Sequence, residues 1–127
     1  MNIALTVATA SYCIRKKVGA IIVKDNNIIA IGYNGTISGF ENICELKDGT
    51  TNPEVLHAES NAIAKCARST NNSDGAVLYV TLSPCFECAK IIIQSGIKEV
   101  YYLEQYRNIS GIELLNKSKV NVKQIIL

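Results

Sequence analysis

The chain has 127 residues, enough for one domain with a buried core and too few for two ordinary ones. Its composition, 48% hydrophobic and 19% charged residues, is that of a globular protein, and no apolar run reaches the roughly 18 residues of a membrane span. The net charge of +2 lacks the strong positive excess of a polynucleotide binder, so we expect neither a nucleic-acid nor a membrane partner.

Short β-branched runs alternate with helical stretches along the chain, which predicts an α/β layered domain spanning residues 1–127. In chain order we predict a helix over 2–12, strands over 18–24 and 28–33 that form an antiparallel hairpin, an irregular loop over 34–56, a helix over 57–69, a strand over 77–82, a helix over 86–95, a strand over 98–103, a helix over 111–117 and a strand over 120–126. The helix over 57–69 should bury a narrow stripe formed by Ala58, Ala62, Ile63, Cys66 and Ala67.

Two short motifs carry the chemistry of the chain. The tripeptide HAE begins at His57, and the pentapeptide PCFEC contains Cys85 and Cys88. A catalytic zinc needs three protein ligands and one open position for water, and one imidazole with two thiolates would fill the three places. Glu59 follows His57 closely enough to handle protons without occupying the metal. The pattern H-x-E followed by P-C-x-x-C is typical of zinc deaminases that act on cytosine or adenine rings.

Each motif alone has a simpler interpretation. His57 is the only histidine, and a lone histidine is usually a structural or surface residue. A lone C-x-x-C is equally typical of a redox pair or of half a structural zinc site. A non-catalytic zinc-stabilised binding module is the alternative from a different functional class, but such a module would gain nothing from Glu59. Because the two motifs occur together and in order, we predict one catalytic zinc ion per chain.

The cysteines and the N-terminal residues indicate the cellular compartment of the protein. Five cysteines are an odd number, so at least one cannot join an internal disulfide. Thiolates that bind a metal must stay reduced, which favours a reducing compartment. The first residues lack the basic region of a signal peptide. We therefore expect a cytoplasmic protein, located in the host cytoplasm if its origin is viral.

The sequence resembles the cytidine deaminase superfamily and, within it, the deoxycytidylate (dCMP) deaminases. Four stretches between about residue 3 and about residue 107 carry the resemblance: CIRKKVGA from Cys13, GYNG from Gly32, HAESNAI from His57 and YVTLSPCFECAK from Tyr79. The resemblance implies a three-layer α/β/α domain with a mixed five-stranded sheet of order 2-1-3-4-5. It also implies hydrolysis of dCMP to dUMP and ammonia, in which zinc hydroxide attacks cytosine C4 and Glu59 shuttles protons, supplying dUMP for thymidylate synthesis.

The resemblance further implies the residues that bind the substrate. Asn34 would bind the deoxyribose 3′-hydroxyl or the base, with a turn asparagine as the alternative. The backbone around Ser83 would accept a hydrogen bond from the exocyclic amine, and Ala58 would form the floor beneath the ring. A guanidinium can hold a phosphate through two hydrogen bonds, although surface arginines are also common. The candidates for phosphate binding are Arg15, Tyr106 and Arg107.

Oligomerisation and regulation are also implied by the resemblance. Relatives are commonly homo-oligomers, often hexamers, that respond to dCTP and dTTP. We expect a homo-oligomer, with a hexamer favoured, and dCTP and dTTP as candidate effectors. The candidate effector loop consists of Gly32, Tyr33, Asn34 and Gly35.

Some family members carry a second, structural zinc in a long insertion before the HAE helix. Cys13 and Cys44 lie near the positions that supply thiolates to that site. The insertion and its histidine ligands are absent here, and a closed structural site needs four ligands. We therefore expect Cys13 and Cys44 to be free thiols.

Two alternatives share the same chemistry. The first is deamination of dCTP or of cytidine, which differs from dCMP deamination only in the contacts to phosphate. The second is a tRNA adenosine deaminase, which would need a basic, aromatic surface for an RNA loop. A net charge of +2 and an aromatic content of 6% do not indicate such a surface.

Overall fold

The computed structural model describes residues 1–127 and has a five-stranded mixed sheet at its centre. The helices are α1 (Asn2–Ala8), α2 (Ala58–Ala67), α3 (Phe86–Gln94) and α4 (Ser110–Lys117). The strands are β1 (Gly19–Lys24), β2 (Asn27–Tyr33), β3 (Gly35–Thr36), β4 (Val55–Leu56), β5 (Val77–Leu82), β6 (Glu99–Glu104) and β7 (Asn121–Gln124). None of the helices is both long and apolar enough to span a bilayer.

The large sheet has the order β2-β1-β5-β6-β7, and β3 pairs with β4 in a separate small sheet. Counted without β3 and β4, this is the predicted order 2-1-3-4-5, which is confirmed. β1 runs antiparallel to β2 and β5, whereas β5, β6 and β7 are mutually parallel. Parallel neighbours need crossover connections, and these are almost always right-handed. The crossovers through α3 and α4 therefore place both helices on the same face of the sheet.

Two adjacent strand positions show that the sheet has a helix layer on each face. A Cβ at Gly19 would meet α1, 2.1 Å from the Ala4 carbonyl oxygen. A Cβ at Gly32 would meet α2, 2.5 Å from the Ala58 carbonyl oxygen. Gly32 pairs with Ala20, the neighbour of Gly19, and consecutive strand residues point to opposite faces. The two glycines therefore contact opposite layers, and the predicted three-layer arrangement is confirmed.

The core lies between the sheet and the layer formed by α2, α3 and α4. Its largest fully buried aliphatic side chains come from both sides of this interface: Ile22, Leu78, Val80, Val100, Ile92 and Leu115. Burying one such side chain stabilises the fold by about 1.5–3 kcal/mol. Small residues of α2 lie directly over β2, which has Gly32 at the contact. This close packing fixes the height of the α2 N-terminus, and thus of His57, above the end of the sheet.

Most predicted elements end within two residues of the observed ones, but three predictions need correction. α1 ends at Ala8 instead of residue 12, because the chain turns and the Ser11 hydroxyl donates to the Asn34 carbonyl at 2.8 Å. Ala67, predicted to be buried, is exposed at the last position of α2, and Ile63 is only half-buried. The region 34–56 is not irregular throughout, since it contains β3, β4 and an isolated bridge between residues 45 and 51.

The prediction that Cys13 and Cys44 are free thiols is wrong. The two residues form a disulfide across a sequence separation of 31 residues, and each is only 3% exposed. The loop that follows β3 folds back over the segment between α1 and β1, which brings the two sulfurs together. A cross-link that closes a loop of this length stabilises a fold by about 3–4 kcal/mol.

Candidate metal centre and active site

His57, Cys85 and Cys88 converge at the N-termini of two helices. His57 is the N-cap of α2 and Cys85 is the N-cap of α3, both with extended backbone, and Cys88 lies in the first turn of α3. The first N–H groups of a helix are unpaired and carry a positive partial charge that favours thiolates. The Cys88 N–H accordingly donates to the Cys85 sulfur at 3.5 Å. The predicted placement of the motifs at two helix N-termini is therefore what the structure shows.

The three candidate ligand atoms have the spacing of a zinc site. His57 Nδ1 lies 3.3 Å from Cys88 Sγ and 3.5 Å from Cys85 Sγ. Zinc bonds of about 2.3 Å to sulfur and 2.0–2.1 Å to nitrogen at tetrahedral angles would place each nitrogen–sulfur pair about 3.6 Å apart. The residues therefore fit a zinc ion held by one nitrogen and two sulfurs, with a fourth position left for water.

The protonation of the cluster also suits a metal. The pKa of Cys85 falls to about 3 because the Cys88 thiol and the His57 ring hydrogen-bond to its sulfur. The pKa of Cys88 is raised because it donates that hydrogen bond and because it is buried. The hydrogen bond to Cys85 also raises the pKa of His57. The metal-free cluster thus retains protons that a zinc ion would displace, since a coordinating thiol is deprotonated outright.

Glu59 lies beside the three ligands in the first turn of α2 and is only 4% exposed. Burial raises the pKa of its carboxyl to about 7, and the charge of His57 opposes that rise. A carboxyl with a pKa near neutrality can both accept and donate a proton at physiological pH. Its side chain lines the same cavity as His57 and Cys85.

This cavity has a volume of about 290 Å³, at the small end of the ~300–1,000 Å³ typical of ligand sites. Five of the predicted substrate-binding residues line it: Arg15, Asn34, Ala58, Ser83 and Tyr106. Arg107 is exposed and does not line it. Of the candidate effector loop only Asn34 lines it. Gly32 and Tyr33 are the last residues of β2, and Gly35 is the first residue of β3.

Asn34 uses its side chain to hold the backbone that leads into β1. Its Oδ1 accepts the Val18 N–H at 2.8 Å, and its Nδ2 donates to the Lys16 carbonyl at 2.8 Å. An amide has two donors and two acceptor lone pairs, so one of each remains for a ligand. The substrate role of Asn34 stays a prediction, now combined with a structural role.

Ser83 connects the end of β5 to the segment that follows β6. Its hydroxyl accepts the Tyr106 N–H at 2.7 Å, and its own N–H donates to the Glu104 carbonyl at 2.8 Å. No hydrogen bond within the protein uses the Ser83 carbonyl. This carbonyl is therefore free for the amine contact that we predict.

Sequence reasoning missed three polar residues that line the cavity: Lys16, Glu45 and Thr51. Lys16 forms an ion pair with Glu104, the last residue of β6. Glu45 and Thr51 both contact the segment that carries Arg15. No sequence signal distinguishes them from other polar residues, because the role of each depends on a contact with a distant segment, 31 residues away for Glu45, 36 for Thr51 and 88 for Lys16.

Gly111→Ala should damage the metal centre without touching a ligand. A Cβ at Gly111 would lie 2.1 Å from the Pro84 carbonyl oxygen and 2.8 Å from the Cys85 backbone. Overpacking of this kind costs about 1–3 kcal/mol, and here it would displace the N-cap of α3. We expect a lower free energy of unfolding and weaker zinc binding, measured by thermal unfolding and zinc titration. Gly35→Ala, with no atom within 4 Å, is the control. Wild-type values for Gly111→Ala would contradict the close packing.

Residues 1–104 match the family model of the cytidine and deoxycytidylate deaminase zinc-binding region. The chain is 34% identical to the deoxycytidylate deaminase of Enterobacteria phage T4, a match that covers 98% of the chain and 91% of that protein. It is 43% identical to ComE operon protein 2 of Bacillus subtilis (strain 168), over 94% of the chain. The chain spans only 66% of that second relative, just under two thirds of its length.

A solved structure shows the same similarity in three dimensions. It is the dCMP deaminase from the cyanophage S-TIM5 in complex with dCMP and dUMP, which superposes with a TM-score of 0.96 at 50% sequence identity. The superposition covers 98% of this chain and 92% of the phage chain. The family model covers most of the chain, including both motifs that supply the candidate zinc ligands. The chain therefore belongs to the family of zinc-binding cytidine and deoxycytidylate deaminases.

Proposed function

We propose that this protein is an enzyme that hydrolyses dCMP to dUMP and ammonia and so supplies dUMP for thymidylate synthesis. The observation that carries the proposal is that one cavity is lined both by His57, Cys85 and Glu59 of the candidate zinc centre and by Arg15, which carries a guanidinium. A zinc centre with a neighbouring carboxyl suits attack on an aminopyrimidine ring, and a guanidinium suits the binding of a phosphate. The dCMP and dUMP in the S-TIM5 enzyme, a close structural neighbour, support the same substrate.

Glu59 would move the protons of this reaction. When bound, zinc supplies an ionised water at neutral pH. Glu59 would take the proton of the attacking water and deliver it to N3 of cytosine, which makes C4 electrophilic. Attack of the water oxygen on C4 gives a tetrahedral carbon. Glu59 would then move the second proton, that of the new C4 hydroxyl, to the exocyclic amine, so that the C4–N bond breaks and ammonia leaves with uracil formed. One carboxyl can perform both transfers because the protons enter and leave the same small cavity.

The remaining cavity residues would orient the base. The free Ser83 carbonyl would accept a hydrogen bond from the exocyclic amine, which favours cytosine over uracil as the bound base. Ala58 is fully buried at the start of α2 and would form the floor beneath the ring. The remaining donor and acceptor of Asn34 would bind the deoxyribose 3′-hydroxyl or the base.

We expect Arg107→Ala to raise the KM for dCMP more than the KM for deoxycytidine. Arg107 is exposed and follows Tyr106, which lines the cavity, so its guanidinium would reach a phosphate at the cavity mouth. A hydrogen bond to a charged group contributes about 1.5–3 kcal/mol, which corresponds to roughly a tenfold or larger change in KM. Arg68→Ala, at the opposite end of α2 from the site, is the control. An equal effect on both substrates would remove Arg107 from phosphate binding.

The function is tested by the loss of cytosine absorbance and the release of ammonia with zinc-loaded protein. The panel should contain dCMP, dCTP, deoxycytidine, cytidine, 5-modified cytosine nucleotides and a tRNA anticodon stem-loop with a target adenosine. We expect the highest kcat/KM for dCMP. Preference for dCTP or for a nucleoside would reassign the substrate within the same chemistry, and deamination of RNA alone would replace the proposal. Failure to release ammonia from any of them would leave only a zinc-binding module.

The proposal includes a homo-oligomer, with a hexamer as the expected size, and regulation by dCTP and dTTP. Tyr12 and Ile14, 64% and 85% exposed, are sequence neighbours of the cavity residues Cys13 and Arg15 and are apolar groups that a second subunit would cover. Light scattering gives the oligomer size, and activity with each triphosphate tests the regulation.

We also propose a cytoplasmic location, since the zinc thiolates need reducing conditions. Under the same conditions the Cys13–Cys44 disulfide would be open to reduction.

A further inference from the structure

We propose that Glu45 and Thr51 are positioning residues that hold Arg15 for the substrate phosphate and so make the enzyme prefer a nucleotide to a nucleoside. The inference rests on the proposed function, because it assigns the phosphate end of the same cavity. It follows from the contacts that join two segments of the cavity wall, residues 44–52 and residues 13–15.

Residues 44–52 form a small hairpin, which we call the 44–52 hairpin. The Asn52 N–H donates to the Cys44 carbonyl at 2.7 Å, and the Leu46 N–H donates to the Thr50 carbonyl at 2.8 Å. Glu45 and Thr51 form the antiparallel bridge between these two bonds. Opposite residues of an antiparallel pair carry their side chains on the same face. The hairpin therefore presents a carboxylate and a hydroxyl side by side.

Both of these groups bind the Arg15 segment. The Glu45 carboxylate accepts the Ile14 N–H at 3.2 and 3.3 Å and the Arg15 N–H at 3.5 Å. The Thr51 hydroxyl accepts from Arg15 Nη2 at 2.7 Å. A guanidinium has five N–H donors, so four remain for a phosphate after this contact. The hairpin thus orders both the backbone and the side-chain end of Arg15 before substrate binds.

The direction of the change in KM for dCMP shows whether Glu45 acts through its charge or through its contact with the Arg15 segment. A carboxylate that lines the cavity repels a phosphate, so its removal should tighten dCMP binding if Glu45 acts only through its charge. If Glu45 acts by holding Arg15, its removal should weaken dCMP binding. The Arg15 side chain would then become ordered only when dCMP binds, and its loss of conformational entropy would reduce the binding free energy. The sign of the change in KM therefore separates the two roles.

The experiment compares dCMP with deoxycytidine for Glu45→Ala and Thr51→Val. We expect each variant to raise the KM for dCMP about tenfold, with kcat and the kcat/KM for deoxycytidine within about twofold of wild type. Glu45→Gln and Thr51→Ser should restore most of the affinity, since both retain the accepting oxygen. Glu41→Ala removes the same charge from an exposed position of the same loop and should have no effect. Thr51 is exposed, so Thr51→Val tests the proposal even if Glu45→Ala folds poorly.

A double-mutant cycle completes the test. On an Arg15→Ala background, Glu45→Ala should add no further increase in the KM for dCMP, because both changes remove the same interaction. A lower or unchanged KM for dCMP in Glu45→Ala, or an equal loss for both substrates, would overturn the positioning role while leaving the proposed function intact. A wild-type protein that does not act on dCMP would overturn both.

Discussion

Glu59→Gln should lower kcat for dCMP by about 10²- to 10⁴-fold while the protein keeps its fold and its zinc. The amide has the shape of the carboxyl but cannot carry a proton between the attacking water, the ring nitrogen and the departing amine. Because Glu59 is only 4% exposed and burial already favours its neutral form, the neutral amide should be accommodated without strain. The measurement is the loss of cytosine absorbance, with zinc content and thermal unfolding determined on the same samples.

A pH series on the metal-free protein gives an independent readout of Glu59. Its pKa is about 7 in the folded protein against an ordinary value of 4.5, so this group stabilises the fold fully below pH 4.5 and loses that contribution as the pH rises through 7. Glu59→Gln lacks this titration, and its stability relative to wild type should therefore rise between pH 5 and pH 8. Glu87→Gln, in which an exposed acid in the first turn of α3 is replaced, is the control.

The activity measurement has its own contradicting outcome. A kcat for Glu59→Gln within tenfold of wild type would show that Glu59 does not carry out the proton transfers.

Removal of zinc with a chelator should abolish deamination and lower the thermal stability, and added zinc should restore both. A ligand that binds the folded state stabilises it by about 4 kcal/mol at a thousand times its dissociation constant. The ligand atoms of His57, Cys85 and Cys88 lie within 4.8 Å of one another on elements that only the folded chain brings together, so the unfolded chain should bind zinc much more weakly. Calorimetry in two buffers should show proton release on binding, because the pKa of Cys88 is raised in the metal-free protein.

Variants of the cysteines test the ligand set. Cys88→Ser should lose stoichiometric zinc, since a serine hydroxyl does not ionise as a thiol does. Cys66→Ala is the matched control, because Cys66 is also a buried free cysteine but lies in α2 outside the cluster. It should retain one zinc per chain even if its free energy of unfolding falls. Stoichiometric zinc in Cys88→Ser, or full activity in chelated protein, would contradict the proposed centre.

The parts of the fold that were predicted well depend on short-range patterns. The strand over 77–82 was predicted with its observed limits, because a buried strand here lies between a turn glycine at residue 75 and Pro84. The ends of α2 and α3 lie within two residues of their predicted positions, since each begins at a motif whose N-cap is a candidate ligand. The sheet order came from the family resemblance, not from the patterns.

The parts that were missed depend on contacts between distant segments. The early end of α1 follows from a hydrogen bond between Ser11 and Asn34, and the Cys13–Cys44 disulfide joins residues 31 apart. The exposure of Ala67 reflects the end of the contact between α2 and the sheet, which no helical periodicity can locate. In each case the deciding neighbour lies elsewhere in the chain.

The sequence by itself determined the chemistry of this protein: one imidazole, two thiolates and one carboxyl, in an order and at helix starts that suit a zinc deaminase. Such information is local, because a ligand set and a helix N-cap are properties of a few consecutive residues. Only the tertiary structure decided which polar groups surround Arg15 in the cavity wall and which cysteines are joined. Both features depend on the contact between the 44–52 hairpin and residues 13–15, and no local sequence pattern predicts a contact between segments so far apart in the chain.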